Sequence, residues 1–469
     1  MPRRPARALL CAALFCACGD DEATSSQSAG ESSTGTSTAA GTTATSTDAA
    51  TTGTTAVGSG SMSESAGTTA APACDADAPL LAERGLITVE APALGVALDP
   101  CGLDRWYFVA PSESTLEITV RGQGPGVTAL AAYPDLLAAD AWADALTPPL
   151  ESAADVPALH ALAVPRSGEF ALYVRPQDPQ QGATYDLELR CTADCERETT
   201  RFPLVWVHGW TGFENIGPLT YFFGVRDHIE PLGYPVSVAV LDPYNSSKVR
   251  GGQLAEQVDG FLAEWRARKV DLIGHSQGGI DSRYVISTLG YGDRVDALLT
   301  VASPHRGTYI TDLALGLAPG GVEDALSFLF NLLGAVTAQA QSDAKASFYS
   351  LSETFMQGEF NPQNPDDPNV AYVSYTGRSC AAIDFIDPKN LCDDLMDPLL
   401  LWSYDILKLT RGPNDGLVTL ESAKWGDYRG EMIADHIDEV GQIAGVTDPD
   451  FDHLAWYLAR VRDLAAEGH

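Results

Sequence analysis

Three residues set among glycines and acids could together carry out nucleophilic acyl transfer: Ser276 in "GHSQG" (274–278), Asp415 in "GPNDGLV" (412–418) and His436 in "HIDEVGQ" (436–442). The serine stretch fits G-x-S-x-G. That pattern suits a sharp turn from a buried strand into a helix, where flanking glycines let the chain pack tightly and the hydroxyl projects outward. A serine is inert until a base takes its proton and donors hold the oxyanion its attack creates. Around such a turn the acid and base follow in the order Ser, Asp, His. Asp415 and His436 fit that order. Of the eight histidines, His275 and His305 lie on turns near the nucleophile, and His228, His453 and His469 have no partner motif.

The elements that must position these residues are legible from residue 201 onward. "PLVWVHG" (203–209) and "VDLIGHS" (270–276) are continuous apolar runs ending in glycine turns, as buried parallel strands do. "SVAVLDP" (237–243), "ALLTVAS" (297–303) and "VAYVSYTG" (370–377) add three more, with helical stretches between them at 251–269 and 279–289. The alternation predicts a doubly wound and mostly parallel α/β sheet, and together with the G-x-S-x-G turn it resembles an α/β-hydrolase fold. Gln277, at the first turn of the helix after the serine, then aims its amide at the reacting centre. The second oxyanion donor belongs in the loop after the first strong strand, where the Trp210 amide of "VHGWTGF" (207–213) is the candidate and its ring lines an acyl pocket. His208 supports that loop.

The rest of the chain has other textures. Residues 74–196 carry short alternating runs ("RWYFVAP", "TLEITVRG", "GEFALYVRP", "TYDLELRC"), which predict an all-β sandwich. Its histidine, His160, fits a surface or packing role. Residues 19–73 are mostly Ser, Thr, Gly and Ala, a disordered stalk with nothing to bury. Residues 1–18 have a charged start and a short apolar run, as an export signal does, and "FCACGDD" makes Cys18 a candidate for lipidation. The expected location is therefore outside the cytoplasm, either as an outward-facing outer-membrane lipoprotein or as a secreted protein. Nine cysteines less the three of the signal leave six, for which neighbour pairing (74–101, 191–195, 380–392) is the simplest scheme. With 63 acidic against 29 basic residues, nucleic acid is excluded as a partner.

Two resemblances add to this reading. The sandwich resembles the pre-peptidase C-terminal type of accessory β-domain of secreted bacterial enzymes, with no ligand implied. "VHGWTGFENI", "VRGGQLAEQV", "DLIGHSQGG", "ASPHRGT", "NDGLV" and "HIDEVGQ", in that order over 203–446, resemble the secreted triacylglycerol lipases of the Pseudomonas and Burkholderia type. The lipase resemblance covers the domain expected at 197–469 and implies Ser276, Asp415 and His436 as the catalytic triad. It also implies one structural calcium held by Asp438, Gln442 and Val446, the last two through backbone carbonyls, and by a carboxylate from Asp397, with Asp393 or Asp394 as alternatives. Calcium accepts such mixed oxygen ligands. Arg250 matches a bracing arginine, and the apolar stretch 313–341 falls where these lipases carry a helical lid, expected here over about 313–345. Some such lipases need a dedicated folding chaperone. The implied activity is hydrolysis of long-chain acylglycerols at an interface. A carboxylesterase for soluble or polymeric esters, or a surface-binding protein with an idle hydrolase fold, are the alternatives. One departure is that "TLESAKW" lacks the cysteine such lipases commonly carry after "NDGLV".

Overall fold

A computed structural model describes residues 74, 80–136, 138–210, 221–333, 338–380 and 396–469. The segment expected to hold the export signal and stalk lies outside them. Ala70–His469 form one compact unit.

Its first part is a β-sandwich of two sheets. Strands β1 (Leu80–Leu86), β3 (Gly102–Ala110), β5 (Val127–Ala132), β6 (Leu150–Ser152) and β8 (Gly168–Pro176) form one sheet in the order β1-β3-β8-β5-β6. Strands β2 (Ala93–Leu98), β4 (Thr115–Gln123), β7 (Ala158–Ala163) and β9 (Ala183–Ala193) form the other, in the order β2-β9-β4-β7. The two sheets read differently in sequence because they are covered differently. In β4, Leu116, Ile118 and Val120 turn inward while their neighbours are partly exposed, giving a clean alternation. The central β8 is buried on both faces, with Phe170, Leu172 and Val174 in the sandwich and Ala171 and Tyr173 in a second cluster outside it. Two features depart from a plain antiparallel sandwich. A short helix, α1 (Ala138–Ala143), joins that outer cluster, and β1 pairs with β3 in parallel. His160 sits half-buried on β7. Disulfides join Cys74 to Cys101 and Cys191 to Cys195 as expected. Cys380 is disulfide-bonded too, and Cys392 lies outside the described residues.

Glu169 on β8 ties the sandwich to the α/β part of the chain. It is 2% exposed and accepts from Arg201 and Arg268, each at 2.6 Å. Beyond it, β10 (Leu204–Val207), β11 (Val236–Ala239), β12 (Val270–His275), β13 (Val295–Val301), β14 (Ala371–Gly377) and β15 (Asp427–Met432) form a six-stranded sheet, order β11-β10-β12-β13-β14-β15. Every pairing in it is parallel. Both faces of β10, β12 and β13 are covered, which is why these inner strands read as apolar runs, whereas the edge strand β15 is mostly polar and partly exposed. Trp206 and Ile273 pack on one side with Tyr457, while Val205 and Leu272 pack on the other with Leu254 and Val258.

Leu254 and Val258 belong to α2 (Ser247–Trp265), whose first turn is capped by Ser246 accepting from the Val249 amide. Next comes α3 (Gln277–Ser287), directly after β12. Arg250 of α2 and Asp281 of α3 form a fully buried ion pair at 2.7 Å. The guanidinium also donates to the carbonyls of His208 and Asp242, so it braces the loop after β10 as the resemblance implied. Burial pushes the Asp281 carboxyl up to about 6 even beside that cation. The predicted lid stretch begins at the end of α4 (Tyr309–Ala314), takes in α5 (Val322–Leu333) and ends within α6 (Ala338–Ser350). Then come α7 (Leu401–Thr410), from the run ahead of "GPNDGLV", and α8 (His453–Glu467), which carries Tyr457.

Candidate active site

Ser276 occupies the turn between β12 and α3 with φ 55° and ψ −128°, a conformation L-residues avoid. Such strain persists only where the surroundings over-determine it, and the surrounding glycines show how. A Cβ at Gly274 would meet the Gly279 amide nitrogen at 2.6 Å, one at Gly278 the Val207 carbonyl at 2.2 Å, and one at Gly279 the Ser303 hydroxyl at 2.1 Å. Gly209 is subject to the same limit, because a Cβ there would lie 2.6 Å from the Ser276 Cβ. The hydroxyl-bearing turn is thus clamped against the loop after β10.

The three residues named from sequence meet in space. Ser276 Oγ lies 2.9 Å from His436 Nε2, and His436 Nδ1 lies 2.9 Å from Asp415 Oδ2. A second bond, from the His436 amide to the Asp415 carbonyl at 2.9 Å, locks the two loops together. The other Asp415 oxygen accepts from the amides of Leu417 (2.8 Å) and Val418 (2.7 Å), so the acid cannot swing away. A carboxylate at Nδ1 selects the tautomer with the proton there and leaves Nε2 free to accept from the serine. Trp210 and Gln277 flank the serine. Among the described residues, no backbone carbonyl in a turn or loop takes either amide N–H. Ser276 and Trp210 open onto an apolar cleft lined by Leu329, Leu351, Leu417 and Val418, with about 10 Å³ of free volume, room for roughly one water. Leu329 comes from α5 and is fully buried there.

Residues 203–366 match the palmitoyl protein thioesterase family, a stretch that contains Ser276 but ends before Asp415 and His436. Over a longer span the chain is 27% identical to a triacylglycerol lipase of Pseudomonas fragi, covering 57% of this chain and 98% of that protein. It is 31% identical over 278 residues to a triacylglycerol lipase of Vibrio cholerae, 53% of this chain and 84% of the relative. The chain belongs to the triacylglycerol lipase family. The sandwich is similar to the pre-peptidase C-terminal domain of a Bacillus anthracis collagenase, at 18% identity and TM-score 0.18, covering 24% of this chain and 97% of that domain.

Behind Ser276, His436 and Asp415 the chain has a polar layer that sequence reading did not find. His275 ends β12 rather than lying on a turn. Its Nδ1 meets the Tyr221 hydroxyl at 2.7 Å and its Nε2 meets Glu439 Oε2 at 2.7 Å. That same Glu439 oxygen is 3.7 Å from His436 Nδ1. Burial drives the His275 pKa well below its ordinary value, so the ring is neutral. Burial and then the neighbouring Asp415 and Asp435 push the Glu439 carboxyl well above the usual carboxylate range. The signal that could have found Glu439 is its i+3 spacing from His436 on a turn. His208 is neutral as well, lowered to about 3 by burial and by Arg250, and accepts the Leu241 amide at 3.0 Å, consistent with loop support. His305 is buried against Thr300 and stacks on Trp425. His453 meets the Phe223 carbonyl at 2.8 Å and His469 meets Asp296 at 2.7 Å, so both have partners that sequence reading did not supply.

Of the four expected calcium residues, Asp438, Gln442 and Val446 follow His436 in the chain, and Asp397 is bonded to Asp435 just before it. Asp435 organises two of them: its Oδ2 accepts the Asp397 amide at 2.7 Å and its Oδ1 the Asp438 amide at 2.9 Å. Asp438 in turn accepts the Asp448 amide at 2.9 Å. The Gln442 amide folds back on the Ile437 carbonyl at 3.1 Å, while the Val446 side chain is 45% exposed. Burial, then Asp397, raises the Asp435 carboxyl to about 6. The charges pressing hardest on Asp435 and Glu439 are thus other carboxylates. Carboxylates pressed by other carboxylates, with backbone carbonyls on the same loop, are the donor types a hard divalent cation takes. Asp393 and Asp394 lie outside the described residues.

Proposed function

We propose that the enzyme hydrolyses long-chain acylglycerols through an acyl-enzyme formed on Ser276. The observation that carries this reading is a complete Ser276–His436–Asp415 chain at the mouth of an apolar cleft that a helix fills. His436 Nε2 takes the Ser276 proton as Oγ attacks the ester carbonyl carbon. The amides of Trp210 and Gln277 hold the oxyanion. When the tetrahedral adduct collapses, the acyl–oxygen bond breaks and the His436 proton passes to the leaving alcohol. Water, deprotonated by the same histidine, then releases the fatty acid, and the second adduct returns the proton to Ser276. Asp415 holds the tautomer and stabilises the imidazolium throughout.

The segment 313–345 is read as the lid. Ala325 and Leu329 of α5 are buried, Leu326, Phe328 and Phe330 are half-buried, and Phe328 stacks on Trp402 of α7 at 5.0 Å. Near those helices Leu317, Leu399, Leu401 and Leu409 are exposed, the last at 86%. Exposed leucines on α7 and beside α5, together with a plugged cleft, support action at a lipid surface, where moving α5 would uncover the cleft.

We assign a structural calcium to Asp397, Asp438 and the carbonyls of Gln442 and Val446. Bound there, it would neutralise the carboxylates behind the triad and stiffen the loop that carries His436. Action outside the cytoplasm is supported by the disulfides. Among the described residues no helix is long and apolar enough to cross a membrane. A folding chaperone is an expectation from the family resemblance alone.

The test is hydrolysis of a long-chain triacylglycerol emulsion, with calcium, as substrate is raised through its solubility limit. A jump in rate at the interface supports the lipase reading. Smooth saturation on short soluble esters alone makes the enzyme a carboxylesterase, and failure of a fluorophosphonate to label Ser276 makes it a binding protein.

A further inference from the structure

The two amides assigned to the oxyanion stand on separate segments, one after β10 and one opening α3. The pairing of β10 with β12 stops at Val207 and Gly274, short of both. What joins them is a side chain from a third element. Ser347, on α6 and fully buried, accepts a hydrogen bond from the Trp210 indole N–H and donates one at 2.8 Å to the Gln277 side-chain carbonyl. The rest of the Gln277 amide is committed, because its nitrogen donates to the Asn245 carbonyl at 2.9 Å and to the Ser247 hydroxyl at 3.3 Å.

These bonds admit one orientation. The Asn245 carbonyl only accepts, so the Gln277 nitrogen must face it and the Gln277 oxygen must face Ser347. The single Ser347 proton is then used on Gln277, and its lone pair is what remains for the indole, which only donates. The result is a directed chain, Trp210 Nε1–H to Ser347 Oγ–H to Gln277 Oε1, with no alternative assignment. Next to it Phe348 packs edge-on against the Trp210 ring at 5.3 Å and lies 5.8 Å from Phe330 of α5. The same turn of α6 therefore touches the oxyanion residues and the helix that fills the cleft.

We propose that Ser347 is a positioning residue of the oxyanion hole, fixing the separation of the Trp210 and Gln277 backbones from the lid side. It touches no reacting atom; it acts through the two residues that do. The inference rests on the acyl-enzyme reading above. It matters because oxyanion donors act by being in place before charge develops, and small displacements are costly.

The experiment compares wild type with Ser347→Ala on a soluble short-chain p-nitrophenyl ester, counting active sites by fluorophosphonate titration. The expected result is a kcat per titrated site about 10-fold lower, with KM within about twofold. Affinity for an alkyl boronic acid, which mimics the tetrahedral adduct, should fall in the same proportion. Trp210→Phe deletes the same hydrogen bond from its other end while keeping the backbone amide. It should show the same split, and the double variant should be no worse than Ser347→Ala alone. It also carries the test if Ser347→Ala does not accumulate. Restoration of kcat by Ser347→Thr, which keeps the hydroxyl, supports the proposal. A Ser347→Ala enzyme with unchanged kcat per titrated site and unchanged boronate affinity overturns it, whatever its melting temperature. If wild type itself does not titrate, the acyl-enzyme reading falls first and this inference with it.

Discussion

The two sides of His436 are built on opposite electrostatic principles. On the side facing the cleft each polar group of the triad has a partner, with Ser276, His436 and Asp415 linked at 2.9 Å and Asp415 further held by two amides. On the side facing away, Asp435 and Glu439 are pressed upward in pKa by burial and by one another's neighbours, with carboxylates as the strongest surrounding charges. The first side is complete as a protein assembly. The second crowds carboxylates together, a strain that protonation or the proposed cation would relieve. The difference teaches that the geometry of a catalytic histidine and its anchoring can be supplied by separate means, one by hydrogen bonds and one by charge neutralisation.

The largest break comes from the complete side. Ser276→Ala should lower kcat by about a millionfold and abolish fluorophosphonate labelling, with the melting temperature little changed. Undiminished ester hydrolysis by that variant would remove the triad assignment altogether.

The next test asks how independent the two sides are. Asp415→Asn should cost about 10³- to 10⁴-fold in kcat, because an amide at Nδ1 favours the wrong tautomer. Glu439→Gln, which keeps a polar group of the same shape near His275, should cost roughly 10-fold or less. The comparison is sharp because Glu439 Oε2 is only 3.7 Å from the same ring nitrogen. Near-normal turnover in Asp415→Asn, lost again when Glu439→Gln is added, would move the orienting role to Glu439.

Much of the complete side was legible in the sequence, and the reasons are physical. Doubly covered parallel strands read as unbroken apolar runs, so β10, β12, β13 and β14 stand out, and the steric needs of the Ser276 turn are written as glycines on both flanks. The chain order of acid and base narrowed the remaining search to one loop each. Glu439 was not legible. A carboxylate near the start of a helical turn looks like an ordinary partner of the helix dipole, and only the fold brings His275, 164 residues away, against it. Ser347 was still less so, since a serine on an amphipathic helix carries no motif and its two partners are set by tertiary packing. The parallel pairing of β1 with β3 is hidden for the same reason, because alternation reveals which face is buried but not which neighbour or direction is chosen.

Cation removal acts on the second side. Chelation of calcium from the purified enzyme should lower the melting temperature. At a hundredfold excess over Kd the ligand contributes about 2.7 kcal/mol, worth about 5 °C for a domain of this size. Asp438→Asn should remove most of that calcium-dependent increment while leaving fluorophosphonate labelling at low temperature intact. A chelated enzyme with an unchanged melting curve would mean that the carboxylates behind His436 are accommodated by protonation alone, and the contrast between the two sides would disappear.

The smallest expected effect is the most specific. Val446 is assigned through its carbonyl, and its side chain is 45% exposed rather than packed in a core. Val446→Ala should therefore change calcium affinity by less than about threefold, because the main chain that supplies the oxygen is retained and surface substitutions of this kind usually stay within about 0.5 kcal/mol. Isothermal titration on the chelated enzyme measures this directly. Asp438→Asn should weaken the same binding by well over tenfold, since a carboxylate is then missing from a site that works by neutralising charge. If the two variants weakened calcium equally, the valine would be acting through its side chain, and the backbone assignment for the far end of the loop would be wrong. Equal indifference in both would place the cation elsewhere and return the acids behind His436 to a purely structural account.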